Sequence, residues 1–237
     1  MSKKASLTNC RLFAGIDGNS LESLLTCLEA VSRVYAREDF IFTAGEKAEY
    51  VGIVLTGSVH VLQDDFWGRR MILAHIGPGG LFGEAFSCAG AVALPVSAAA
   101  AEPAEIMLID YRKSVTTCSA ACAFHSRLIG NMLGILAEKN ILLTKKMEHL
   151  SRRTTRGKLL SFLSAQAMQA GSDCVEVPFN RQELADYLCV DRSALSRELG
   201  VMQAEGLLRY RKNRFELLRH AAGNAPHYIS ASILSAK

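Results

Sequence analysis

Residues 180–200 read NRQELADYLCVDRSALSRELG, and this stretch decides the fold. Asn180 is a helix cap, and Glu183 three residues on can reach back to its N–H, a capping box. Leu184, Tyr187 and Leu188 fall at i, i+3 and i+4, one apolar face of a short helix. The run breaks at Cys189–Asp191, where Asp191 caps a second helix. There Leu195, Leu199 and Met202 face inward, leaving Arg192, Ser193, Ser196 and Arg197 on the outer face near its N-terminus. Two short helices joined by a tight turn, the second offering Arg and Ser outward, form the DNA-reading helix-turn-helix pattern. An arginine forked onto guanine O6/N7 gives roughly 1–3 kcal/mol of discrimination. The plainer alternative is a helical hairpin with solvated arginines.

The flanks extend this pattern. Upstream, Lys158–Gln169 reads as a helix, Gly171-Ser172-Asp173 as a turn and Val175–Pro178 as a short strand. Downstream, Leu207–Tyr210 and Arg214–Leu218 read as two strands of a wing joined through Arg211-Lys212-Asn213. Arg209, Arg211, Lys212 and Arg214 make that wing basic enough to sit on phosphates. Arg181, Arg192, Ser193, Ser196, Arg197, Arg211 and Lys212 are the expected DNA-facing set. Net charge is only +4, but residues 1–150 carry 14 Lys/Arg against 15 Asp/Glu while residues 151–237 carry 13 against 8. The basic excess lies where phosphate binding requires it.

N-terminal to this, residues 128–153 read as one long helix. Ile129, Leu133, Leu136, Asn140, Leu143, Met147 and Leu150 are spaced 4, 3, 4, 3, 4, 3, a heptad seam whose polar Asn140 is of the register-fixing kind. A second stripe, Leu128, Met132, Ile135 and Leu142, is free to pack on the chain's own N-terminal part. One stripe for self and one for a second copy implies a symmetric homodimer. Helix is expected from near Tyr111 onward. Arg152–Gly157, with its charges, threonines and glycine, interrupts the seam and marks a domain boundary.

From about Ala36 to Ile109 the period is two: Phe40 and Phe42; Val51, Ile53 and Val54; Val59 and Val61; Met71, Leu73 and His75 on one face. Glycines punctuate these runs, and Asp64–Arg69 reads as a hairpin tip. Short strands with glycine turns indicate an antiparallel barrel or jelly roll. Before them lies a helical lead-in capped by Asn19 or Ser20. The fold class is therefore α+β: residues 1–127 a β-roll with a helical lead-in, 128–153 a dimerisation helix, 154–237 a winged helix-turn-helix.

At 49% hydrophobic and 21% charged the chain has ample core for a soluble globular protein. It lacks an uncharged bulky-apolar run of membrane-spanning length, and MSKKASLTNC carries no signal-peptide segment. Seven scattered cysteines form no disulfide framework. A cytoplasmic protein without a membrane partner is expected.

This order of parts resembles the CRP/FNR family of bacterial transcription regulators over nearly the whole chain. The specific points are Gly45, Gly57 within LTGSVHVL, Gly83-Glu84 within LFGEAF, Glu105-Ile106 and RQELADYLCVDRSALSREL. The resemblance implies a cyclic-nucleotide-binding-like roll, base reading by Arg192, Ser193 and Arg197, and a Ser196-Arg197 pair matching the FNR branch. Cys189 stands at a turn position often filled by glycine. An inverted-repeat operator follows for a two-fold dimer, with RNA polymerase as a further partner if the protein is an activator.

The effector pocket departs from the family. Gly83, Glu84, Cys88, Leu94 and Pro95 are its expected residues, and Leu94 and Pro95 stand where cyclic-nucleotide binders place an Arg-Ser or Arg-Thr pair. No Lys or Arg occurs between Arg70 and Arg112. A buried phosphate needs a charge-assisted partner, so a cyclic nucleotide is not expected. No resident cofactor is expected either, although an unidentified small-molecule effector remains compatible with the chain.

Rival inputs are weaker. Cys10 and Cys27 alone do not make an iron–sulfur ligand set. Cys118 and Cys122, one helical turn apart, lack the second pair of a zinc site. Cys88 is the candidate reactive thiol of a redox-linked regulator, and His60 or His75 the candidate ligand of a haem-linked one. No enzyme is expected, since His60 and His75 lack the histidine–glutamate cluster of a catalytic barrel. A ligand-binding adaptor that uses its winged helix for protein contact is the remaining alternative.

Overall fold

The computed structural model describes residue 7 and residues 10–110 and 123–218. Tyr111, Cys118, Cys122 and the tail from Arg219 lie outside the described residues. A short turn of helix (Arg11–Phe13) and α1 (Gly18–Cys27) form the lead-in. Asp17, rather than Asn19 or Ser20, caps α1: its carboxylate accepts the Ser20 N–H at 3.0 Å and the Ser20 hydroxyl at 2.7 Å.

The roll is built from β1 (Val31–Tyr35), β2 (Phe40–Phe42), β3 (Val51–Thr56), β4 (Val59–Asp64), β5 (Arg70–Ile76), β6 (Leu81–Phe82), β7 (Ser97–Ala100) and β8 (Ala104–Ile109), with the short α2 (Glu84–Cys88) after β6. The strands form two antiparallel four-stranded sheets, ordered β1-β8-β3-β6 and β2-β7-β4-β5. Between the sheets Val54, Ile106 and Leu108 meet Phe42, Phe82 and Leu94. The opposite faces of β3 and β8 are also covered. There Val51, Ile53, Met107 and Ile109 pack on Leu12, Phe13, Leu24 and Leu28. Burial on both sides departs from the alternation of period two expected over this stretch, and it is why β3 and β8 are apolar almost throughout. Gly57 turns β3 into β4 at φ +74°, and a Cβ there would lie 2.4 Å from the Pro103 carbonyl oxygen. No larger residue fits that turn.

The long helix α3 (Ala123–Leu150) lays Leu128, Met132 and Ile135 against the outer face of the β1-β8-β3-β6 sheet. Beyond Ile135 the same stripe turns polar. Leu142, expected on it, is 59% exposed, while Lys139, Lys146 and His149 carry the self-facing contacts. The helix has run past the apolar face of the sheet there, leaving backbone carbonyls and a second body to meet.

That second body comprises α4 (Thr155–Ala170), β9 (Cys174–Glu176), α5 (Arg181–Leu188), α6 (Arg192–Ala204), β10 (Leu208–Arg211) and β11 (Arg214–Leu217), the strands ordered β10-β11-β9. Leu159, Phe162, Leu184, Leu188, Leu195, Leu199, Met202, Leu208 and Phe215 form its core. One residue of the roll, Ile72 of β5, joins that core. A bulge places it there: Val61 pairs with Ala74 but Leu62 with Ile72, so the parity of β5 changes at Leu73. The expected face Met71-Leu73-His75 is thereby broken, and Ile72 and His75, three apart, share one face with Leu62 and His60. Ile72→Ala should therefore weaken both the roll and its docking, lowering stability by about 2–5 kcal/mol in urea denaturation. An unchanged midpoint would contradict this packing.

Candidate nucleic-acid interface

The two helices of the central stretch are fixed largely by local chemistry. The Asn180 side chain accepts from the backbone N–H groups of Gln182 (2.9 Å) and Glu183 (3.0 Å), and the Glu183 carboxylate accepts the Asn180 N–H at 2.7 Å. The capping box read from sequence is present. Cys189 ends α5 in the left-handed region at φ 52°, ψ 55°, where glycine is the relaxed choice. Lys158 caps the same end, its ammonium donating to the carbonyls of Leu188 (3.1 Å) and Cys189 (3.2 Å). Asp191 then caps α6, accepting the Ala194 N–H at 2.9 Å and the Ser193 hydroxyl.

Leu195, Leu199 and Met202 are fully buried, and Arg192, Ser193, Ser196 and Arg197 are exposed together on the opposite face of α6. Ser193 is partly committed to its bond with Asp191. A residue with no sequence signal braces the helix: Arg156 of α4 donates to Glu198 (2.6 Å) at the middle of α6 and to Glu205 (3.0 Å) at its C-terminal cap. The pairing is between residues about 40 positions apart, which local pattern cannot reveal.

Arg211 and Lys212 stand exposed at the tip between β10 and β11, with Lys212 at φ 55°. Arg181 is different. It is half-buried, its guanidinium over the Tyr210 ring at 5.0 Å, and it donates to the Lys212 carbonyl at 3.3 Å. It ties the start of α5 to the wing as well as offering charge.

Along α3, Leu133 (64% exposed), Leu143 (55%) and Met147 (70%) lie open with Ile129 and Asn140. Leu136 is half-buried on the roll core and Leu150 half-buried at the helix end. The other stripe is held by charge. Lys139 donates to Glu84 (2.7 Å) and to the Leu81 carbonyl (2.6 Å).

The expected effector residues are not brought together. Gly83 and Leu94 line a cavity inside the roll with Phe42, Phe82, Phe86 and Val96, but its volume is only about 20 Å³, room for a single water. Glu84 instead faces Lys139. Pro95 is exposed, and so is Cys88, whose thiol is pushed up to about 11 by partial burial and by Glu84. Cys88 is a thiol, not a thiolate, at neutral pH.

His60 and His75 are not isolated strand histidines. They pair directly across β4 and β5 with ring centroids 5.1 Å apart. Phe179, ahead of α5, lies 5.9 Å from His60 and 5.7 Å from His75, and stacks on Tyr187 at 4.7 Å. Lys146 closes the junction. Its ammonium donates to the carbonyls of Ile72 (2.5 Å) and Leu73 (3.0 Å) and lies 4.0 Å over the Tyr187 ring. Burial pulls Lys146 down to about 8. Burial, then the neighbouring His75, Arg37 and Arg70, lowers His60 to about 4. Among the described residues no group of three His, Cys, Asp or Glu side chains is placed to hold a metal ion, and no helix is long and apolar enough to cross a membrane.

Residues 32–119 match the family described as the cyclic nucleotide-binding domain, and residues 157–222 the Crp-like helix-turn-helix domain. The chain belongs to the CRP/FNR family of transcription regulators. It is 25% identical over 185 residues to the cAMP-activated global transcriptional regulator CRP of Pasteurella multocida, covering 73% of this chain and 83% of that one. It is 28% identical over 198 residues to the nitrogen fixation regulation protein FixK of Azorhizobium caulinodans, covering 78% and 74%. The fold is also that of FixK2 from Bradyrhizobium japonicum (TM-score 0.64, 23% identity, 80% of this chain and 93% of that one). The c-di-GMP responsive regulator CLP from Xanthomonas campestris shares it too (TM-score 0.69, 22% identity, 85% and 99%).

The histidine junction makes stability pH-dependent. The unfolded chain protonates His60 near its ordinary value of 6.5, whereas the folded ring stays neutral until about pH 4. The unfolded state therefore binds more protons in this window, and stability falls as pH drops from about 6.5 toward 4. Urea midpoints measured across that range should show the decline, with a shallower slope in His60→Asn. Equal slopes would show that His60 is not the group responsible.

Proposed function

We propose that this protein is a homodimeric, sequence-specific DNA-binding regulator whose roll, residues 1–127, receives a signal other than a cyclic nucleotide. The observation that carries the DNA reading is the exposed Arg192-Ser193-Ser196-Arg197 face on a helix whose opposite face is fully buried. Arg197 and Arg192 are the base-reading groups, while Arg211 and Lys212 at the wing tip meet phosphates. Arg181 contributes charge from the start of α5.

Residues 128–153 form the dimer contact. Ile129, Leu133, Leu136, Asn140, Leu143, Met147 and Leu150 are its seam, supported by the solvent exposure of five of them on one chain. Residues 154–237 carry the reading head. Two heads on a two-fold axis meet half-sites one helical turn apart, about 34–36 Å, and hence an inverted repeat.

The case against a cyclic nucleotide rests on the 20 Å³ cavity, whose lining is apolar but for Ser97, together with the absence of any Lys or Arg between Arg70 and Arg112. No group there answers a buried phosphate charge. The redox alternative through Cys88 has the disadvantage of a thiol raised to about 11. RNA polymerase is a partner if the protein activates.

In vitro selection from random duplex DNA at fixed salt, with wild type and Arg197→Ala in parallel, tests the reading; salt is fixed because phosphate contacts are strongly salt-dependent. Wild type should enrich an inverted repeat and Arg197→Ala should lose it while remaining dimeric. Leu143→Asp should shift the chain to monomer in analytical ultracentrifugation and lower operator affinity by more than tenfold. No enriched motif with wild type, with and without cell extract, would overturn the DNA reading; an undisturbed dimer in Leu143→Asp would overturn the seam.

A further inference from the structure

A cleft of about 630 Å³ lies between the roll and the reading head, lined by His75, Ala101 and Glu102 on one side and by Phe179, Arg181 and Lys212 on the other. Its volume is in the range of small-molecule sites, whereas the cavity between the sheets admits one water. A ligand in this cleft touches both bodies at once. It therefore discriminates between arrangements of the two, which any effector must do to shift their equilibrium.

The charges of the cleft are not balanced in use. The Glu102 carboxylate accepts the Ser58 hydroxyl at 2.9 Å. Glu183, also on the lining, accepts the Asn180 N–H at 2.7 Å and has Arg37 3.8 Å away. Its acids are answered by protein donors. Its cations lack a carboxylate partner among the described residues: neither Arg181 nor Lys212 makes an ion pair, and Arg181, lying over the Tyr210 and Phe215 rings, spends one N–H on the Lys212 carbonyl. The His75 Nδ1 atom is buried without a hydrogen-bond partner. Phe179 and Ala101 supply apolar wall.

We propose that this cleft is the effector site, and that it takes a small organic oxyanion on a ring-sized apolar body, its charge met by Arg181 and Lys212. The site rests on the regulator reading above and adds its input. Because the same two cations are offered to operator phosphates, ligand and DNA oppose each other. The opposition is reciprocal: the factor by which ligand weakens DNA binding equals the factor by which DNA weakens ligand binding.

The test uses the full chain with benzoate and phenyl phosphate as probes, benzylamine and benzyl alcohol as cationic and neutral controls, and isothermal titration at constant ionic strength. Ala101→Trp fills the cleft from the roll side, away from the DNA-facing residues, and circular dichroism establishes that it folds. One or both anions should bind at one site per chain, at least tenfold more weakly in Ala101→Trp and in Lys212→Gln, with neither control competing. Saturating anion should lower operator affinity at least fivefold in wild type and leave Ala101→Trp unaffected. Which anion binds distinguishes a carboxylate effector from a phosphate ester. Absence of anion binding, binding unchanged by Ala101→Trp, or equal competition by benzylamine would overturn the proposal. A wild type that binds anion but no DNA would instead leave the cleft standing and remove the regulator reading.

Discussion

A single buried ammonium, that of Lys146, holds three parts of this molecule together. An amine removed from water needs compensating acceptors. Lys146 finds two on β5 of the roll and the face of Tyr187 on α5 of the reading head. None of these alone satisfies it, so the arrangement of α3, roll and head is coupled through one side chain. Ile72 adds apolar burial at the same point, and the His60-His75-Phe179-Tyr187 ring cluster continues it. The contact between roll and head is therefore mixed in character, with neutral imidazoles, one cation and one aliphatic side chain. Such a contact depends on the protonation of its parts.

The long helix serves this junction and the proposed dimer contact by dividing its surface. One stripe begins apolar at Leu128, Met132 and Ile135 and ends polar at Lys139, Lys146 and His149, matching what it meets: first a sheet face, then carbonyls and the reading head. The other stripe stays exposed in a single chain. Arg156 carries the connection onward, since α4 follows α3 closely and its arginine grips the middle and the C-terminal cap of α6. Bonded contacts thus run from α3 through α4 to α6.

The legible features were the local ones. The Asn180 capping box, the Asp191 cap and the inward Leu195-Leu199-Met202 stripe depend on neighbours within a few residues, so residue type and periodicity expose them, whereas the turn at Cys189 was marked by the family resemblance. The roll was legible as a strand-rich body because its glycine turns and apolar runs are short-range signals. The bulge at Leu73 was not, because a change of parity leaves no mark in composition; reading β5 with unbroken alternation put Met71 and Leu73 where Ile72 belongs. Leu142 misled for a related reason: its spacing fits the self-facing stripe, but the sheet it would cover ends first. Glu84 and Lys139 pair across 55 positions, and Arg156 with Glu205 across 49. Such tertiary ion pairs are invisible to any window of sequence. The closing of the inner cavity by Phe42, Phe82, Phe86, Leu94 and Val96 also needs the third dimension, although the missing cation was plain in the chain.

In the proposed arrangement two copies of this chain read one duplex through paired α6 helices. Hydroxyl-radical footprinting on a selected duplex, with the mass of the complex determined in parallel, tests it most directly. The account predicts two chains per duplex and two protected patches on one face of the DNA, separated by one helical turn. A single protected patch with one chain bound would contradict it.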